Sequence, residues 1–339
     1  MATIRPFRGT RYNPEKIGDL STVISQPYDR VRHGLQDKYY DQSPYSVVRI
    51  IRGKETPEDS GEANVYTRAR DYYDSWLHEG VLMREEQPAL YVLRQNFTLP
   101  DGTQKSRQGL VAAFQLSAFD KGGVLPHERT LSGPKVDRLN LMRATRVNFG
   151  HIFMLYPGDR INELLDQAVE QRQSLEARDL FESDVLQQFW PVTDEGTVRA
   201  ILEEMAPKEN LIIADGHHRY ETALNYRDEM REQHPDAPAN AGFNFRMVTM
   251  VSMEDPGLVI LPTHRLIHSY GRKSAAAVLE GAKEYFNVMP LDTLEQMTTA
   301  LDAATPDHPR FGFYDGGYTA LELKSPEVMD RLLPGRHQA

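Results

Sequence analysis

The stretch Asn210–Met230 reads NLIIADGHHRYETALNYRDEM, and its first third holds residue types that do chemistry. Four apolar residues, Leu211–Ala214, run directly into Asp215, Gly216, His217, His218 and Arg219, and a helical pattern begins at once. An apolar run of this kind predicts a buried strand, with Asp215 where the chain leaves the sheet, and ligands of open α/β sheets gather at such strand ends. Gly216 accepts backbone angles that other residues avoid and lets a ligand approach closely. The first amides of the following helix, together with its dipole, attract phosphate or carboxylate. Arg219 adds a forked cation that matches phosphate oxygens. The bland alternative is a helix capped by Asp215 with two ordinary histidines. Zinc is a minor option, because adjacent histidines at a helix start point about 100° apart and lack the i, i+4 spacing of zinc-binding helices.

A second cluster lies in PHERTLSGPKVDRLNLMRATR, where from Arg129 to Arg146 the chain carries Arg129, Lys135, Arg138, Arg143 and Arg146 against a single acid, Asp137. In a chain of formal net charge −10 such a run is a candidate anion site, although a solvated helix face paired with acids elsewhere reads equally well. Within it, Glu128 offers a general base, His127 an acid or orienting group, and Thr130, Lys135 and Arg138 contacts to phosphate. PTHRL places His264 and Arg265 after a strand, and QPYDRV places Tyr28 and Asp29 in a turn; with Asn148 these make up a possible further pocket. No Gly-x-Ser-x-Gly elbow and no Gly-x-x-x-x-Gly-Lys-Ser/Thr loop occurs, so serine hydrolases and P-loop enzymes have no support.

These residues must be positioned by the elements around them. STVISQPYDRV reads as a strand ending in a Pro-led turn, and SPYSVVRIIRG as a β-branched run closed by glycine. Residues 63–82 carry apolar positions at helical spacing and stop at Gly80. PALYVLRQNFTLPDGTQKSRQGLVAAFQL is a β-hairpin around Pro-Asp-Gly. A helix capped by Asp137, a strand His151–Tyr156 and a long polar helix from Ile161 to Phe181 come next. The strand FWPVTD, the helix GTVRAILEEMA, the strand NLIIA and its helix follow, then a loop from His234 and the strand FRMVTMVSM. Alternation with short links predicts an α/β layer with parallel pairing.

The 339 residues suffice for one large domain or two ordinary ones, and 40% hydrophobic with 26% charged residues is a soluble globular composition. The absence of cysteine excludes disulfides, thiolate metal sites and cysteine nucleophiles, and leaves magnesium or manganese as the metals best suited. The acidic balance argues against nucleic acid as a partner, and no apolar run is long enough for a membrane span. The start MATIRPFRGTRYNPEK lacks a secretion signal, which predicts a cytoplasmic protein.

QPYDRV, SPYSVVRIIRG, PHERTLSGPKVDRLNLMRATRVN, IADGHHRYETALNYR and DPGLVILPTHRL, in that order from Gln26 to Leu266, resemble the domain of unknown function 1015 family. Around FWPVTD and LIIADGHHRYETAL that family is similar to the ParB/sulfiredoxin superfamily, whose free serine kinases carry a related Asp-Gly-His-x-Arg. The resemblance implies an α/β, mixed α+β fold. It has an N-terminal mixed strand–helix region over residues 1–120, a ParB/sulfiredoxin-like phosphate-binding core over 121–270 and a C-terminal α+β segment over 271–339. It also implies phosphate binding at Asp215–Arg219 and transfer of a phosphoryl group from ATP or ADP to a small hydroxylated metabolite, serine first among them. Asp215 would bind Mg2+, and His217 or His218 would steady the moving group. A nucleotide-binding regulatory module without turnover and a phosphohydrolase are the competing functions. Homo-oligomerisation is left open.

Two departures accompany the resemblance. DVLQQFW places Gln187 where the family commonly has a histidine, and the chain ends at Ala339 before a Lys-containing segment that members usually carry. Both raise the expectation of altered activity.

Overall fold

A computed structural model describes residues 2–119, 123–126, 132–181, 184–261, 264–268 and 274–332. The chain forms two compact units, Met1–Ile260 and Leu261–Ala339.

The strands of the first unit are β1 Ile4–Arg5, β2 Thr10–Tyr12, β3 Leu82–Arg84, β4 Leu90–Thr98, β5 Gln104–Gln115, β6 Val124–Leu125, β7 Ile152–Tyr156, β8 Leu175–Arg178, β9 Leu186–Val192, β10 Leu211–Asp215 and β11 Phe245–Ser252. Its helices are α1 Pro14–Ile17, α2 His33–Gln42, α3 Val48–Ile51, α4 Val65–His78, α5 Ser132–Thr145, α6 Arg160–Val169, α7 Glu195–Met205 and α8 His217–Gln233. Among the described residues one large sheet runs β6-β10-β7-β11-β5-β4-β9-β8, with β1 pairing to β5. The fold is thus a mixed α/β fold, and strands from either side of residue 120 share one sheet.

The pairing differs from the parallel layer that strand–helix alternation predicts. β10 is parallel to the two-residue β6 and β7 is parallel to β11, but β10 runs antiparallel to β7 and β9 antiparallel to β4. Short links between a strand and a helix do not fix which neighbour the next strand chooses, and here long-range partners decide. The Pro-Asp-Gly hairpin forms as read, between β4 and β5, with Gly102 at φ 86°.

One face of the sheet is apolar and carries the main core. Leu90, Val92, Leu110, Ile152, Met154, Leu211, Ile213, Val248 and Met250 meet Ile161 and Leu165 of α6, Ile201 and Met205 of α7, and Tyr220 and Ala223 of α8. The 3.6-residue spacing of those helix positions is what turns one stripe of each helix to the sheet.

Four local readings change. Ser21–Val31 is no strand: Asp19 caps a short 3-10 turn at Leu20–Thr22 by accepting from the Ser21 amide. Val48–Ile51 is a helical turn despite its β-branched residues, since it buries Val48 and Ile50 in two different clusters, which a solvent-bounded strand would not do. The long polar helix stops at Val169, Gln171 takes a positive φ of 58°, and β8 follows. Asp137 caps nothing; it lies inside α5, which begins at Ser132, and accepts from the Tyr66 hydroxyl at 3.0 Å.

α4 fits its sequence closely. Asn64 accepts from the Tyr66 and Thr67 amides while Thr67 Oγ1 accepts from the Asn64 amide, a reciprocal cap. Its buried Trp76 gathers Tyr12, Tyr45 and Tyr72 around it. In the second unit β12 Phe286–Leu291, β14 Tyr318–Leu323 and β13 Arg310–Tyr314 form an antiparallel sheet in that order. The unit's helices are α9 Ala275–Ala282, α10 Leu294–Asp302 and α11 Glu327–Leu332.

Candidate functional site

The Asp215–Arg219 junction owes its shape to a bulge and a glycine. Ile213 pairs with Met154, whereas Asp215 pairs with Phe153, so Ala214 is an extra residue in β10. An extra residue reverses the alternation of faces. Leu211 and Ile213 are buried on the core face, and Asp215 is turned to the opposite one, beside Phe153. Gly216 then takes left-handed angles, φ 99° and ψ 27°, and α8 starts from it with no side-chain cap. A Cβ at Gly216 would stand 3.0 Å from Arg219 Nε, so the absent side chain is also what lets Arg219 fold back over its own helix start. Arg219 Nη1 donates to the His151 carbonyl at 2.7 Å, and Nη2 donates to the exposed carboxylate of Asp215.

Two further guanidinium groups lie near Arg219. Arg246, in β11, is 2% exposed. It donates to Asn148 Oδ1, to the Phe149 carbonyl at 3.3 Å and to the Gly150 carbonyl at 2.7 Å, and among the described residues its buried Nε has no hydrogen-bond partner. Burial first, and then the charges of Arg219 and Arg138, push its pKa down to about 9. Arg138 of α5 is buried, sits 4.0 Å over the Tyr28 ring and pairs with Asp137 at 2.6 Å. Burial raises the pKa of the Tyr28 hydroxyl, and Arg138 and Arg219 pull it the other way. Arg138, Arg219 and Arg246 therefore share one electrostatic neighbourhood with Tyr28 at its edge. Like charges gathered in a partly buried place repel one another, and an anion relieves that repulsion.

The sheet face that receives Asp215 carries polar side chains beside a smaller apolar cluster of Ala89, Tyr91 and Val111. His151 Nδ1 is hydrogen-bonded to the Thr249 hydroxyl. Burial and the nearby Arg219 lower the imidazole pKa to about 4, against the opposing pull of Asp215, so the ring is neutral at physiological pH. Farther along the same face, Arg107 lies 4.8 Å from the Phe153 ring and donates twice to Gln95 Oε1, whose Nε2 donates to Gln187 Oε1 at 2.9 Å. Gln187, which stands where a histidine is common in the resembled family, thus joins this line of polar side chains.

The remaining expected residues divide into groups. His127, Glu128, Arg129 and Thr130 lie outside the described residues. His217 is buried and His218 half-buried in the first turn of α8. Lys135 reaches across from α5 to Glu221 of α8 at 2.7 Å, and Arg143 likewise to Glu229 at 2.5 Å, so ion pairs between these helices account for part of the basic run. Asp29 is exposed beside Tyr28, and its charge helps to raise the tyrosine pKa. Asn148 enters the site through Arg246. His264 and Arg265 are exposed residues of the second unit. Arg246, His151, Thr249 and Arg107 escaped the motif reading. A cation at the second position of FRMVTMVSM was the available signal, since arginine inside a buried strand needs partners.

Among the described residues no three His, Asp or Glu side chains come together as a metal cluster, and no helix is long and apolar enough to cross a membrane. Fold and site together define a mixed α/β protein with arginines gathered about one strand–helix turn. The chain belongs to the family described as Protein of unknown function (DUF1015), whose family model matches residues 4–335. Neither the curated proteins nor the solved structures yield a match.

Proposed function

We propose that this chain is a phosphotransferase that moves a phosphoryl group from a nucleotide, ATP or ADP, to the hydroxyl of a small metabolite. The observation that carries the reading is Arg219 folded over the uncapped start of α8, with Arg219 and Arg138 close enough to Arg246 to lower its pKa and, among the described residues, no hydrogen-bond partner for the buried Arg246 Nε. Phosphoryl transfer needs positioning and neutralisation of phosphate charge more than covalent chemistry, and such a cluster supplies both. The resemblance of IADGHHR to the phosphate-binding turn of a ParB/sulfiredoxin-like core, and to the free serine kinases within that superfamily, supports the same reading.

In this scheme the donor phosphates rest against Arg219 and the uncapped first turn of α8. The acceptor hydroxyl attacks phosphorus, the bond to the leaving phosphate oxygen breaks, and the hydroxyl proton passes to Glu128. His217 and His218 steady the charge on the transferred group. Asp215 is the one carboxylate described at this turn and it is already held by Arg219, which does not fit a preformed magnesium site. Magnesium therefore enters only as an ion carried on the nucleotide, and no step is routed through it.

The test is incubation with ATP or ADP, magnesium and a panel of hydroxylated metabolites headed by serine, followed by a search for a phosphorylated product. A phosphorylated metabolite that disappears with Arg219→Ala supports the proposal. Phosphate release without any acceptor would identify a phosphohydrolase instead, and tight nucleotide binding without turnover a regulatory module.

A further inference from the structure

Among the described residues Arg107 forms no ion pair with a carboxylate. Its Nε and Nη2 donate to one atom, Gln95 Oε1, at 3.1 and 2.6 Å, and among the described residues Nη1 meets no acceptor. The nearby carboxylate that acts on it, Asp255, is committed to other donors: the Gln108 amide, Asn162 Nδ2 and the Gly257 amide. The guanidinium is partly buried and its desolvation lowers its pKa, so holding it charged is costly.

Its position is fixed from behind and below. Gln95 cannot turn its amide without losing the bond from Nε2 to Gln187, so the oxygen stays on Arg107. Beneath lies the Phe153 ring, at 4.8 Å. Phe153 is also the register partner of Asp215, so one aromatic residue neighbours both the strand end at Asp215 and the Arg107 guanidinium. Arg107 and Arg219 both lie close enough to His151 to disfavour its protonation.

We propose that Arg107 receives the carboxylate of the acceptor, which makes the metabolite phosphorylated here a small hydroxy acid. The inference rests on the phosphotransferase reading and adds the chemical class of its acceptor. A guanidinium with Nε and Nη2 already engaged offers one free nitrogen, enough for a singly charged carboxylate. The doubly charged phosphate has Arg219 at the start of α8. An acceptor held by its carboxylate at Arg107 keeps its hydroxyl, two or three bonds away, for the phosphoryl group.

Calorimetric titration of the full chain with glycerate, serine and malate, each beside its carboxamide, tests the subsite. The expected result is binding of at least one acid, an affinity lower by about tenfold or more for its amide, and a similar loss with Arg107→Met. Arg107→Lys, which keeps the charge, should recover part of that loss. Inorganic phosphate and ATP should bind parent and both variants alike. Failure of all three acids to bind the parent, or equal binding of acid and amide, overturns the inference. The comparison within the parent stands even where Arg107→Met does not fold. The two readings fail separately: phosphate bound without any acid leaves the phosphate site and removes the acceptor subsite. Acids bound through Arg107 with no phosphate or nucleotide bound remove the phosphotransferase and leave the subsite.

Discussion

Arg219 and His151, 68 residues apart in sequence, are joined by a hydrogen bond from Arg219 Nη1 to the His151 carbonyl at 2.7 Å. The bond ties the first turn of α8 to the entry of β7 and aligns the guanidinium between two strands. Because it uses a backbone oxygen, it fixes Arg219 whatever the protonation of the His151 ring. The second end of the fork rests on the exposed carboxylate of Asp215, and in the proposed function it is the end that an incoming anion would take over.

The turn that makes this possible depends on one missing side chain. Gly216→Ala puts a Cβ into left-handed backbone at φ 99° and 3.0 Å from Arg219 Nε. It is expected to lower stability by about 1–2 kcal/mol, the cost of that conformation for an L-residue. Phosphate affinity should fall with it, because Arg219 must move. Chemical denaturation and a phosphate titration read the two effects, and an unchanged midpoint with unchanged affinity would contradict this account of the turn.

Arg246 holds three oxygens of the Asn148–Gly150 segment. Arg246→Met keeps much of the volume and removes the charge, leaving those acceptors without their donor. A loss on the order of 1–3 kcal/mol is expected, seen as a lower denaturant midpoint at unchanged slope. A rise in stability would mean that relief from the buried charge outweighs the lost hydrogen bonds.

How much of this was legible before the structure turns on range in sequence. The DGHHR turn and the Pro-Asp-Gly hairpin are local patterns, and glycine with its neighbours specifies both. Arg246 and Arg107 come from two strands and His151 from the residue before a third, and nothing in their own flanking residues says that they meet. The bulge at Ala214 is also silent in the sequence, yet it decides on which face Asp215 stands. Val48–Ile51 misleads because β-branched residues favour strands on average, whereas this segment is shaped by the two clusters that it fills.

His151 gives the protein an acid sensitivity of definite sign. Its pKa falls from 6.5 to about 4 on folding, so the unfolded chain takes up the proton more readily. The imidazole contribution to stability is complete above 6.5 and is lost progressively as the pH falls towards 4. Thermal or urea unfolding over that range should show a shallower pH dependence for His151→Gln than for the parent. Identical slopes would mean that the ring titrates normally in the folded protein.

The claim that an oxyanion settles at the start of α8 is tested most directly by isothermal titration calorimetry of ATP, ADP, pyrophosphate and inorganic phosphate into the parent and into Arg219→Ala. Saturable heat with at least one of these in the parent is predicted, weakened by about tenfold or more in the variant, as loss of a charge-assisted hydrogen bond requires. No heat from any of the four, or equal affinity in parent and variant, would contradict it.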